Sequence, residues 1–163
     1  MSQLKKLKCS IALLQETHLV EVESQKLKRE SVNQVFHASY GKRRGVAILI
    51  NRSLPFSAEK VIKDNMGRFV MVIGSIGDMA ISILNVYAPN EENEDLFLNI
   101  AKIITTNGKG MIIVGGDFNT VQNGKSDRLP PEQGPTSKKS RETTTFEGRM
   151  LLSILTHMVA IQR

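Results

Sequence analysis

Residues 69–87 constrain the fold more than any other stretch. Phe69-Val-Met-Val-Ile73 is apolar at every position, and after Gly77-Asp78 the run Met79-Ala-Ile-Ser-Ile-Leu-Asn-Val-Tyr87 is nearly so. Side chains alternate between the two faces of a strand, so a strand that is apolar throughout must be covered on both. Gly77-Asp78 suits a two-residue turn, and glycine in first place fits a II′ geometry. The spacing therefore predicts a hairpin, Phe69–Ile76 with Met79–Tyr87, as the central pair of a two-sheet layered core.

The covering layers are legible on either side. Strands are predicted over Ile11–Gln15, Gln34–Ser39, Gly45–Asn51, Phe56–Ile62 and Met111–Val114. Glu91–Thr105 reads as an amphipathic helix, with acids in its first turn and Leu96, Ile100, Ile103 and Ile104 along one face. Thr143–Met158 is a second such helix, through Phe146, Met150, Leu151 and Ile154. Glu21–Glu30 is polar and helix-compatible, and Leu4 and Leu7 mark the end of a short helix. Gln122–Ser140, rich in Gly, Pro and Ser, reads as a long surface loop. Strands with helices between them imply an α/β or α+β layered domain, and 163 residues suffice for one.

Composition excludes several classes. A single cysteine, Cys9, forms no internal disulfide framework, and with three histidines it builds no structural zinc module. A reducing, intracellular setting is expected. Gly74, Gly77, Asp78 and Asn85 interrupt the longest apolar stretch, so no membrane span is expected. Gln15 and Glu16 cut short the only signal-like run. The net charge is +6, with basic clusters at Lys5–Lys8, Lys26–Arg29, Lys42-Arg43-Arg44 and Lys138–Arg141. Such a balance suits a polyanionic partner and is equally compatible with none.

Three strands end in polar groups that a core does not need: Glu16, Tyr87, and Asp117 with Asn119 after Gly115-Gly116. Sites of layered α/β folds lie beyond strand carboxyl ends. Asp117 and Asn119, two apart, share a side if the chain is extended there. Read singly, each has a structural role as well: Asp117 as a turn residue, Asn119 in an Asx turn, Glu16 as a strand end facing water, Tyr87 as a half-buried strand aromatic.

Gln15-Glu16-Thr17-His18, Asn85-Val-Tyr87-Ala-Pro-Asn90, Gly115-Gly-Asp117-Phe-Asn119 and Arg44-Gly-Val-Ala-Ile-Leu-Ile50 are four blocks. In order and approximate spacing they resemble the endonuclease domains of LINE-type, non-LTR retrotransposons. These belong to the exonuclease–endonuclease–phosphatase superfamily, with apurinic/apyrimidinic endonucleases and pancreatic deoxyribonuclease as relatives. The resemblance runs from Ser2 to about Gln162. It implies a four-layer sandwich of two facing β-sheets flanked by helices, and metal-dependent phosphodiester hydrolysis.

Carried over by position, the resemblance makes Glu16 the metal ligand, for Mg²⁺ or Mn²⁺, and Tyr87 a hydrogen-bond donor to the scissile phosphate. Asp117 orients or deprotonates the attacking water, and Asn119 supports that aspartate and contacts the phosphate. Asn90 lies near the DNA backbone, and Lys42, Arg43 and Arg44 form a basic loop against phosphates. His18 braces the loop after its strand. The implied partner is DNA, the implied location is nuclear, and in the family a reverse transcriptase follows in the same polypeptide; the residues name no oligomeric state.

The chain also departs from the pattern. The family's first strand with its Asn is absent, as is the terminal Ser-Asp-His block; of His18, His37 and His157 none follows an Asp. The expectation is one partial domain over 1–163 with little or no turnover. Its rivals are a catalytically dead remnant and a weak nucleic-acid-binding module. A third is a phosphatase or sphingomyelinase, disfavoured by the Gln-Glu-Thr-His block.

Overall fold

The computed structural model describes residues 9–89 and 94–119. Along the chain come β1 (Ile11–Leu14), α1 (Glu21–Ser24), a 3₁₀ turn (Gln25–Leu27), β2 (Val32–Tyr40), β3 (Arg44–Asn51) and β4 (Phe56–Lys63). They are followed by β5 (Phe69–Ile76), β6 (Met79–Tyr87), α2 (Glu94–Asn107) and β7 (Met111–Asp117). One sheet has the order β1-β3-β2, the other β4-β5-β6-β7. All pairings are antiparallel except β6 with β7, which α2 makes parallel by crossing between them.

The 69–87 hairpin occupies the middle of the four-stranded sheet. Gly77 takes φ +58, and Asp78 is not among the positive-φ residues, as the II′ turn requires. Val70, Val72, Ile81 and Ile83 face the first sheet and meet Ala38, Val46, Ile48 and Ile50. On the opposite face Phe69, Met71, Ile73, Leu84 and Val86 are covered by Leu96 and Ile100 of α2. Outside the first sheet, Ala47 and Leu49 pack with Leu27 of the 3₁₀ turn. Two facing sheets with helical segments on both outer faces are the sandwich that the sequence implied.

Several boundaries differ, most by one or two residues; β7 runs on to Asp117, three residues past the predicted Val114. β1 ends at Leu14, one residue before the predicted Gln15. Glu21–Glu30 is not one helix: α1 closes after a single turn, the 3₁₀ turn follows, and Lys28 is already extended at ψ 127°. That stretch has no apolar stripe to sustain a longer helix against the sheet. The predicted elements at Leu4–Leu7, Gln122–Ser140 and Thr143–Met158 lie outside the described residues, as do Glu91 and Glu92 of the helix start.

Candidate active site

The site is built where β1, β6 and β7 end together. Parallel register sets Tyr87 beside Asp117, and the Ala88 N–H donates to the Asp117 carbonyl at 2.8 Å. Gly116, at φ +143, makes this approach possible: a Cβ there would collide with the Val86 carbonyl oxygen. A glycine pair permits a turn or the close approach of another group. The structure uses it for the neighbouring strands, since Gly115 lies under the Leu13 side chain of β1.

From the first sheet, the chain leaves β1 and turns sharply. Glu16 has φ +49 and His18 φ +50, both left-handed. The Tyr87 hydroxyl donates to Glu16 Oε1 at 2.6 Å, across 71 residues of sequence. Glu16 and Asp117 thus bear on one phenol from two sheets. The hydrogen bond to Glu16 chiefly holds the Tyr87 phenol above its usual range, with burial and the charges of Glu16 and Asp117 adding to it. The Arg44 charge acts the other way.

Asn119 departs from the extended geometry expected of it. Its φ is +45, so alternation does not set its side chain beside that of Asp117. Instead its backbone N–H donates to Asp117 Oδ1 at 3.1 Å, which makes Asp117 the Asx residue. Its side-chain Nδ2 donates to the Ala88 carbonyl at 2.7 Å. Phe118 between them stacks on Phe97 of α2, ring centres 6.5 Å apart, and so anchors the loop to the helix. Glu16, His18 and Asn119 are the only non-glycine residues at positive φ among those described. Each costs of order 1–3 kcal/mol, and strain of this kind clusters at functional sites.

The basic loop borders the same rim. The Arg43 and Arg44 guanidinium carbons each lie 5.7 Å from the centre of the Tyr40 ring. The Lys42 carbonyl is 3.2 Å from His18 Nδ1, a contact between the turn after β1 and this basic loop. Asn90 lies outside the described residues.

Such a rim of two carboxylates, a phenol and an amide at strand ends suits hydrolysis at an anionic centre. The model of the Endonuclease/Exonuclease/phosphatase family matches residues 1–150. The chain belongs to that family. Among solved structures, the endonuclease domain of TRAS1, a telomere-specific non-LTR retrotransposon, is 19% identical with a TM-score of 0.56. The match covers 96% of this chain and 61% of that one. An AP endonuclease from Leishmania major is 15% identical with a TM-score of 0.60, covering 80% of this chain and 52% of its own. TDP2 from C. elegans is 23% identical with a TM-score of 0.54, over 78% of this chain and 43% of that one. These likenesses establish a shared fold, of which the chain spans roughly half the relatives' length.

Within this member of the endonuclease/exonuclease/phosphatase family, the sequence missed the groups beneath the rim. Asn85 is fully buried. Its Nδ2 donates to the Leu14 carbonyl at 2.8 Å and to the Ala47 carbonyl at 2.9 Å. Its Oδ1 accepts from Gln15 Nε2 at 2.6 Å. One amide thereby joins β6 to both β1 and β3. An amide in a largely apolar strand was the available signal, since buried amides persist only when bonded. Thr17 and the buried His37 form a second, partly buried pair, Oγ1 to Nε2 at 3.0 Å, for which the sequence offered no signal.

Proposed function

We propose that this chain acts on phosphodiester bonds of DNA as a metal-assisted nicking hydrolase, through Glu16, Tyr87, Asp117 and Asn119. The observation that carries the reading is the Tyr87–Glu16 hydrogen bond beside Asp117, which gathers donors from both sheets at one rim.

The donors fit a hard divalent cation. Tyr87 engages Glu16 Oε1 only, which leaves the second carboxylate oxygen for a metal. Among the described residues no group of three or more His, Cys, Asp or Glu gathers, at this rim or elsewhere, so the protein would supply few of the ligands. One or two carboxylates are what Mg²⁺ or Mn²⁺ needs when it keeps its waters. Bound there, such an ion supplies positive charge against that developing on the phosphate.

The chain's own residues do the remainder. Tyr87, kept protonated well past neutral pH, turns its one O–H from Glu16 to a non-bridging phosphate oxygen when the substrate is bound. Asp117, held in place by the Asn119 N–H, orients a water and takes its proton as that oxygen bonds to phosphorus. The P–O3′ bond breaks, the phosphate stays on the 5′ side, and the leaving O3′ takes a proton from solvent water to become the 3′ hydroxyl. Lys42, Arg43 and Arg44 hold the strand by its phosphates without reading bases. The retrotransposon origin, a following reverse transcriptase and a nuclear setting belong to this same reading, supported by the four sequence blocks.

Supercoiled-plasmid nicking with Mg²⁺ and with Mn²⁺ tests it. The expected rate is low, because both described histidines are engaged, His18 with Lys42 and His37 with Thr17. A missing donor to developing charge typically lowers rate by ~10²–10³. Glu16→Ala and Asp117→Ala should each abolish what nicking there is, and Glu16→Ala should also weaken Mn²⁺ binding. Nicking and Mn²⁺ binding that neither substitution changes would overturn the reading.

A further inference from the structure

We infer that His37, a buried histidine on β2, is a positioning residue for the Glu16 turn and acts through the Thr17 hydroxyl. The inference deepens the phosphodiesterase reading and rests on it for its functional meaning.

The His37 side chain is 1% exposed, deep under the first sheet's end. Its Nε2 lies 3.0 Å from Thr17 Oγ1. Its Nδ1 is buried with no hydrogen bond, facing Glu21 Oε2 at 3.6 Å, while Glu21 is itself held by Lys63 Nζ at 2.7 Å. A residue needed only to fill space would leave no unbonded buried nitrogen, so the imidazole requires another explanation. The Glu21 charge favours the tautomer with its proton on Nδ1. Nε2 then accepts from the Thr17 hydroxyl, which fixes the direction of that O–H.

Thr17 is the hinge pin of the turn. It stands between Glu16 and His18, both left-handed. Its N–H donates to the Gly45 carbonyl at 3.0 Å, so His37 supplies the second of two anchors. Gly45 is built around the pair: a Cβ there would lie 2.6 Å from Thr17 Oγ1 and 3.1 Å from His37 Nε2. The site thus excludes a side chain on β3 in order to keep hydroxyl and imidazole together. With the side-chain anchor gone, the strained backbone at Glu16 can relax toward negative φ, and its carboxylate leaves the Tyr87 hydroxyl.

Tyrosine labelled with ¹³C at Cζ tests this at neutral pH without metal or DNA. The chain has two tyrosines, so Tyr40→Phe assigns the two resonances. In His37→Leu and in Thr17→Val, the Tyr87 resonance should move to its position in Glu16→Ala. His37→Gln, which retains a polar atom near the Nε2 position, should keep the wild-type resonance. Thr17→Val decides the matter if His37→Leu does not fold. A Tyr87 resonance unmoved in Thr17→Val but moved in Glu16→Ala overturns the inference. In the same variants Mn²⁺ affinity should drop by ~10–100-fold, as for other groups that orient a ligand. A wild-type chain that binds no Mn²⁺ would refute the phosphodiesterase reading, while the resonance would still decide the positioning role.

Discussion

His37 also makes stability depend on pH. Burial holds its imidazole below the ordinary 6.5, and the nearby Glu21 carboxylate offsets this only in part; Lys63 adds to the lowering. Above pH 6.5 the imidazole is neutral in both folded and unfolded chains and contributes no pH dependence. Below that, the unfolded chain takes up a proton that the folded chain resists, so stability falls with pH until the folded-state pKa is reached. Urea midpoints at pH 7 and pH 5 should therefore separate for the wild type and draw together in His37→Gln. An unchanged separation would assign the acid sensitivity to other groups. Neither this residue nor Asn85 was legible beforehand. Their roles depend on which strands face them, and that is a property of pairing across the two sheets. Glu16, Tyr87 and Asp117 were legible because they break apolar runs at strand ends, where a polar group has no packing reason to be.

Strands were read correctly wherever alternation or an uninterrupted apolar run was long. The hairpin appears with both predicted boundaries, Phe69–Ile76 and Met79–Tyr87. The polar stretch after Glu21 was misjudged because charge and helix propensity without an apolar face do not set a length. The short extension of β7 through Gly115-Gly116 to Asp117 was also not foreseen, since glycines weaken a strand unless a neighbour lies close. That extension is what delivers Asp117 to Tyr87, so its geometry should be unforgiving. Gly116→Ala places a Cβ against the Val86 carbonyl at a φ of +143. It should cost more than the ~1 kcal/mol that ordinary backbone propensity predicts, because the positive φ and the contact act together. Leu84→Ala, on the face under α2, should cost about 2–5 kcal/mol as a buried-leucine truncation. Chemical denaturation measures both, and a Gly116→Ala chain of wild-type stability would show that β7 is looser here than described.

The molecule carries its positive charge unevenly. Lys42 and Arg43 lie in the turn between β2 and β3 and Arg44 opens β3, next to the Glu16 turn, and the chain as a whole is +6. DNA binding should accordingly be weak, indifferent to sequence and steep in salt. Each phosphate contact adds roughly 0.9 to the slope of log affinity against log salt. Replacing all three residues by alanine should reduce that slope by about 2–3. Fluorescence anisotropy of a labelled duplex across a salt series reads it, and a slope unaffected by the triple change would move the DNA-binding face elsewhere. Sheet order was beyond the sequence's own periodicity, because pairing partners are long-range. The resemblance implied two facing sheets, which the described residues match, but no strand order within them.

The placement of the two aromatic hydroxyls has an optical consequence. The chain has no tryptophan, so its intrinsic emission is that of Tyr40 and Tyr87. Tyr40 lies beneath the guanidinium groups of the basic residues, and Tyr87 donates a hydrogen bond to the carboxylate at the rim. A phenol bonded to a carboxylate is quenched and brightens when that bond is broken. The protein's native fluorescence therefore comes only from the surface proposed to meet DNA and the side chain proposed to meet the scissile phosphate. The rest of the sandwich is nearly dark, and an unlabelled sample reports on its own occupancy.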